Sequence, residues 1–127
     1  MSGLTVSNLV SITNPSISIT NTFNESIKDV IKEREKQIMN KKFTSEHDDA
    51  MVNHQLTDAA ICYAADYFMR NKKICDDNTF VDSIWPWEKY NFKPSVYSRR
   101  EDLIKAAALI IAEIDRLDRL NYSEDGK

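Results

Sequence analysis

Apolar positions along the chain gather into three stretches of helical spacing, separated by stretches that lack it. Ile27, Val30, Ile31 and Ile38 make a narrow stripe through a charged run that includes "KEREKQ". Just ahead of it, Thr22-Phe23-Asn24-Glu25 matches the T-x-x-E capping box, in which a hydroxyl and a carboxylate satisfy backbone N–H groups left unpaired at a helix start. A first helix is therefore expected from residue 23 to about Lys41. Leu56, Ala59, Ala60, Tyr63, Ala64 and Phe68 repeat at helical spacing and predict a second helix from about Gln55 to Arg70. Its alanines permit close approach by another helix. The third stretch, "RREDLIKAAALIIAEIDRLDRL" at residues 99–120, carries the clearest 3.6-residue pattern. It is expected to bury Leu103, Ala106, Ala107, Ile110, Ile111, Ile114 and Leu117, with Asp115 and Arg119 as an i,i+4 pair.

Between the second and third helices, residues 72–98 show weak periodicity and contain Pro86 and Pro94. A connection this long is uncommon in a compact domain and is expected to have a function or structure of its own. Residues 1–22 carry no charge. Leu4, Val6, Val10 and Ile12 share one parity, Ile17 and Ile19 make a second short alternation, and Asn14-Pro15 forms a turn between them. This reads as a hairpin or an extended arm. An isolated hairpin is marginal in water, so the arm is expected to lean on the helical body or on another subunit. Residues 122–127 read as a polar, frayed tail. The expected protein is mainly α: a single helical domain at 23–121 with a three-helix core, a long aromatic loop between helices two and three, and a short N-terminal β arm or hairpin.

Composition narrows the function classes. At 127 residues the chain is one domain. With 42% hydrophobic and 29% charged residues it falls in the ordinary globular range. A formal charge of −3 provides no broad positive field, so nucleic acid is not an expected partner. The N-terminus lacks a basic leader and an unbroken apolar run, which predicts no membrane association and a place inside the cell. In that compartment Cys62 and Cys75 need no disulfide to explain them.

Several catalytic chemistries find little footing. His47-Asp48-Asp49 with His54 suggests metal ligands, but two imidazoles seven residues apart do not make the one-turn pair of a zinc helix. Capping of a helical turn by an aspartate, or polar contacts to a ligand, fit that segment better. A MazG-like nucleotide pyrophosphatase would need several carboxylates at helical spacing to hold magnesium. Here Arg34 splits Glu33 from Glu35, and Arg116 and Arg119 interleave Asp115 and Asp118. With glycine only at positions 3 and 126, no Gly-rich phosphate loop can form, and Cys62 has no imidazole beside it in sequence. No catalytic residue, metal ligand or cofactor is assigned.

The basic and aromatic residues point to binding. "SIWPWEKYNFKP", residues 83–94, holds both tryptophans of the chain, with Lys89 and Lys93 among the aromatics. Arg34 and Gln37 on the first helix, Lys89 and Lys93 in this block, and Arg99, Arg100 and Lys105 on the third helix can converge if the loop folds back. Arginine forks suit phosphate oxygens, and a base can stack on Trp85 or Trp87. The tryptophans are equally suited to covering the core, and Pro86 between them would let each take a different role.

"EREKQ" (33–37), "FTSEHDDAM" (43–51), "LTDAAICYA" (56–64), "WPW" (85–87) with "FKP" (92–94), and "RREDLIKAAALIIAEIDRLDR" (99–119) together resemble a family of small proteins encoded by tailed phages and prophages. The resemblance covers about Ile31 to Arg119 and excludes the N-terminal arm. It implies a setting, a phage accessory protein in the cytoplasm of a bacterial host cell, and no catalytic residues. The expectation is a non-enzymatic, homo-oligomeric binder that sequesters a nucleotide-derived host immune signal. Its ligand-binding residues would be Arg34, Gln37, His47, Asp48, Asp49, Trp85, Trp87, Lys93, Arg99, Arg100 and Lys105. The alternatives are the MazG-like pyrophosphatase and an inhibitor that binds a host protein through the aromatic loop.

Overall fold

Helix α1, Asn24–Met39, opens a computed structural model that describes residues 24–125. The expected N-terminal arm and the capping box at Thr22 lie outside the described residues. After α1 come α2 (Ser45–Asp49), α3 (Gln55–Ala64) and α4 (Tyr67–Arg70). A hairpin of β1 (Lys73–Cys75) and β2 (Asn78–Thr79) leads into α5 (Phe80–Ile84), a 3-10 turn at Lys89–Asn91 and the long α6 (Arg99–Asp125). The protein is mainly helical, with one small antiparallel hairpin among the described residues. No helix among them is long and apolar enough to cross a membrane.

The core is built chiefly by α3 and α6. Leu56, Ala59, Ala60 and Tyr63 of α3 meet Ala106, Leu109 and Ala112 of α6, and all seven are buried. Small side chains on both helices bring the backbones close, and Leu56, fully buried, contributes about 1.5–3 kcal/mol by leaving water. Helix α1 packs along α6, but the residue it buries most deeply is the polar Gln37, while Ile27, Ile31 and Ile38 stay exposed. The expected stripes therefore need correction on two helices. On α6 the alanine side faces inward, and Leu103, Ile110, Ile111, Ile114 and Leu117 face outward.

Local chemistry explains the other departures. The expected second helix breaks after Ala64: Ala65 turns to extended backbone, and the Asp66 carboxylate accepts from the N–H of Met69 to start α4. Phe68 is consequently 83% exposed and takes no part in the core. The presumed loop at 72–98 has elements of its own. Asp76, at φ 49°, makes the hairpin turn in a left-handed conformation that aspartate tolerates better than most residues. Thr79 and Asp82 form a full capping box at the start of α5. A hydrogen bond from Lys89, with those from Thr79, holds the Asp82 carboxyl down at about 2. The stabilisation this charge provides is thus present above the ordinary carboxylate value and is lost as the pH falls toward 2. Helix α6 continues to Asp125, beyond the tail boundary expected at residue 122. Arg119 reaches across to Asp49 on α2, with no bond to Asp115.

The cysteines are free and unlike each other. Cys62 is buried in α3, and burial, with Asp58 adding to it, pushes its thiol up to about 11. Cys75 is exposed on β1. A thiol reagent at mildly alkaline pH is expected to modify one cysteine rapidly in the native protein and two in denaturant. Two fast-reacting native thiols would contradict the packing of Cys62.

Candidate functional site, a basic and aromatic cleft

A cleft of about 910 Å³ opens where the end of α1, the start of α2, α3, the 85–93 segment and α6 meet. Its first wall follows from how α1 ends. Phe43 N–H donates to the Gln37 carbonyl at 2.9 Å, and Lys42 takes a left-handed φ of 62°, a turn that brings Lys41 and Phe43 to the cleft. Thr44 then caps α2 by accepting from the N–H of His47 at 3.2 Å, and the Phe43 ring stacks on the His47 ring at 4.5 Å, nearly parallel.

Behind that stack sits Asp48, fully buried. One oxygen accepts from Arg34 Nη2 at 2.8 Å and the other lies 2.8 Å from His47 Nδ1. A carboxylate only accepts, so Nδ1 is the donor in this contact. Arg34 and Asp48 thereby orient the imidazole without reaching the cleft themselves.

The opposite wall is aromatic. Tyr63, Trp85 and Phe92 pack together with centroids 4.8–5.7 Å apart, and the Arg70 guanidinium lies over the Phe92 ring. Pro86 separates two tryptophans whose planes stand at 89°, and Trp85 Nε1 donates to the Glu88 carbonyl at 3.0 Å, tying the turn together. Trp85 belongs to the packed cluster, whereas Trp87, also packed against the core, meets the Phe43 ring at 6.0 Å.

Four lysines, Lys41, Lys89, Lys93 and Lys105, line the same space together with Glu88, and Lys89 is already paired with Asp82 at 2.7 Å. Lys105 Nζ donates to the Lys93 carbonyl at 2.9 Å and lies 5.4 Å from the Tyr63 ring centre. The Tyr63 hydroxyl accepts from Lys93 N–H at 3.1 Å, and burial pushes its pKa up against the pull of that bond. Burial also pushes the Lys41 ammonium down. Glu33 opposes that shift, and the positive charges of Lys105, Lys36 and Lys93 add to it. Repulsion among lysines held this way is relieved by an anion. Gln37, 2% exposed, lines the cleft as well, and its Oε1 has no hydrogen-bond partner. A buried unpaired amide oxygen is costly unless a ligand donor or a water meets it.

Gln37, His47, Trp85, Trp87, Lys93 and Lys105 of the expected site thus come together on the cleft. The other expected residues lie elsewhere. Arg34 and Asp48 stand behind His47. Asp49 faces α6 and pairs with Arg119 at 2.7 Å. Arg99 donates to the carbonyls of Ala64 and Ala65, closing the C-terminal end of α3. Arg100 pairs with Asp29 at 2.8 Å beside a second, smaller groove between α1 and α6. The structure adds Lys41, Phe43, Tyr63 and Asn91, which the sequence reading had not placed in the site. The run Lys41-Lys42-Phe43, two cations and a ring straight after a helix, was a signal for the first two. Tyr63 sits on the buried face of α3 and looked like core alone.

Fold and cleft together define a mainly helical protein with an aromatic-walled pocket of positive side chains. In comparisons with known proteins, no family model, no curated protein and no solved structure matches the chain.

Proposed function

We propose that the cleft binds a nucleotide derivative and that the protein acts by holding this ligand without converting it. The presence of Lys41, Lys93 and Lys105 on the same cleft as Trp87 carries this reading, since it offers charge for phosphate and a ring for a base within one cavity. The unpartnered Gln37 oxygen supplies an acceptor at the edge of the same space. In the phage setting that the sequence resemblance implies, the ligand is a host immune signal and the activity is sequestration in the bacterial cytoplasm.

The pyrophosphatase reading has less behind it. Among the described residues no three His, Cys, Asp or Glu side chains gather to hold a metal ion. Exposed Tyr90, Val96 and Tyr97 favour a host protein as the second reading, because large side chains left open to solvent are ready anchors for a protein contact.

The test is retention. Purified protein is incubated with nucleotides, cyclic nucleotides and ADP-ribose derivatives with magnesium present, freed of unbound ligand and then denatured. Intact ligand is expected in the denatured supernatant, with affinity falling as salt rises. A magnesium-dependent product would overturn the proposal. So would failure to retain any nucleotide.

A further inference from the structure

We propose that two copies of this chain associate through antiparallel pairing of their α6 helices. The inference starts from a seam on α6. Leu103, Ala107, Ile110, Ile114, Leu117 and Asn121 follow one another at alternating spacings of four and three residues. This is the a/d repeat of a coiled coil, whose 3.5-residue period keeps a single helix face turned toward a partner helix. The four large side chains in it are half open to solvent: Leu103 44%, Ile110 48%, Ile114 50% and Leu117 41% exposed. Helix α6 meets the core with Ala106, Leu109 and Ala112, so the seam is a second, separate face. Ile111 and Leu120 widen it on either side, and no charge interrupts it. At 1.5 Å per residue it runs about 27 Å. A monomer rarely leaves an apolar strip of that length uncovered.

Self-complementarity of the a/d seam selects a second copy as the occupant, and charge selects the orientation. A two-fold axis near Ala112 sets Leu103 against Asn121, Ala107 against Leu117, and Ile110 against Ile114, so every layer joins an a position to a d position. The small Ala107 receives the large Leu117. In this antiparallel register the flanking Asp118 lies beside Ile104 of the other copy, so the pairing brings no acidic residues together apart from Glu113 and its mate. Parallel pairing would set Arg100 against its own copy and Glu113 near Asp118. In the antiparallel pair Glu113 meets its symmetry mate, and its charge is already held within each helix by Arg116 at 2.8 and 2.9 Å.

Sedimentation equilibrium of the full chain across the micromolar range is expected to give twice the chain mass. Ile114→Asp and, separately, Ile110→Asp are expected to halve it with the helical circular dichroism unchanged, since both side chains are exposed at the surface of the single chain. Orientation is read by oxidation in a Cys75→Ser background. An equimolar mixture of Ile110→Cys and Ile114→Cys proteins is expected to cross-link with each other in preference to themselves. Single-chain mass for the full protein, doubled mass surviving in both aspartate variants, or mainly self-cross-linked products would each overturn the proposal. Doubled mass that appears only after removal of residues 1–22 would also overturn it, by showing that the chain's own N-terminal segment covers the seam.

Discussion

Asp102→Ala is expected to cost about 3–5 kcal/mol of folding stability, the range for leaving one partner of a buried ion pair alone. Asp102 is 2% exposed, in the first turn of α6. Its Oδ2 accepts from Arg70 Nη2 at 3.0 Å and its Oδ1 from the N–H of Ser95 at 2.7 Å. Arg70 in turn donates to the carbonyls of Cys62 and Tyr63 near the end of α3, at 2.9 and 2.8 Å. One carboxylate therefore joins the two core helices, the short helix α4 and the chain leading into α6. Truncation leaves a guanidinium whose side chain is only 12% exposed without its counter-ion, and orphans the Ser95 donor. Single domains are stable by about 5–15 kcal/mol, so a loss of this size would be plain in a urea titration followed by circular dichroism. Asp102→Asn, which keeps an acceptor for Ser95 and removes the charge, is expected to lose less than the alanine variant. A cost below about 1 kcal/mol for Asp102→Ala, the level of an exposed pair, would show that the charges are solvated and the junction is weak.

The sequence was most readable where one physical signal acted alone. Periodicity placed helices at Asn24–Met39, Gln55–Ala64 and Arg99–Asp125, the second shorter than expected, and the start of α6 at Arg99 agrees with the pattern. Orientation was harder, for a definite reason. A hydrophobicity pattern ranks Ile110 and Ile114 above Ala108 and Ala112 as core residues, yet the alanines are what let α3 and α6 approach closely enough to bury Leu56 and Leu109. The alanines of the second helix signalled close approach, but on the third helix the same signal was outranked by its isoleucines, and which face meets the partner depends on both helices. The same reasoning applies to the arginines. Arg99 and Arg34 carried the right charge for phosphate, but the carbonyls at the end of α3 and the buried Asp48 are intramolecular partners that only the fold brings near. Lys93 and Lys105 kept their place on the cleft because they meet each other across the connection into α6, the arrangement expected if the aromatic segment folded back.

The two tryptophans should separate stability from binding. Trp85→Ala is expected to cost about 3 kcal/mol, the lower end of the range for a core aromatic because the ring is partly exposed. The ring stands 5.7 Å from Tyr63 and 4.8 Å from Phe92, and its N–H closes the turn through the Glu88 carbonyl. Its removal unties the segment that carries Lys93, so affinity should fall along with stability. Trp87 also packs against the core and meets Trp85 edge-on and the Phe43 ring at 6.0 Å, but it makes no ring contact with Tyr63 or Phe92 and has no turn-closing hydrogen bond like that of Trp85. Trp87→Ala is therefore expected to lower stability by less than Trp85→Ala while removing a stacking surface worth about 1–3 kcal/mol, roughly a 5- to 150-fold loss of affinity. Trp87→Phe keeps a ring face and should recover much of that loss, which a purely structural role for Trp87 would not produce. The measurement pairs urea unfolding with ligand titration on each variant. If Trp87→Ala binds as tightly as the unaltered protein, Trp87 does not carry a base, and the positive charge of Lys41, Lys93 and Lys105 must serve an anion without an aromatic group.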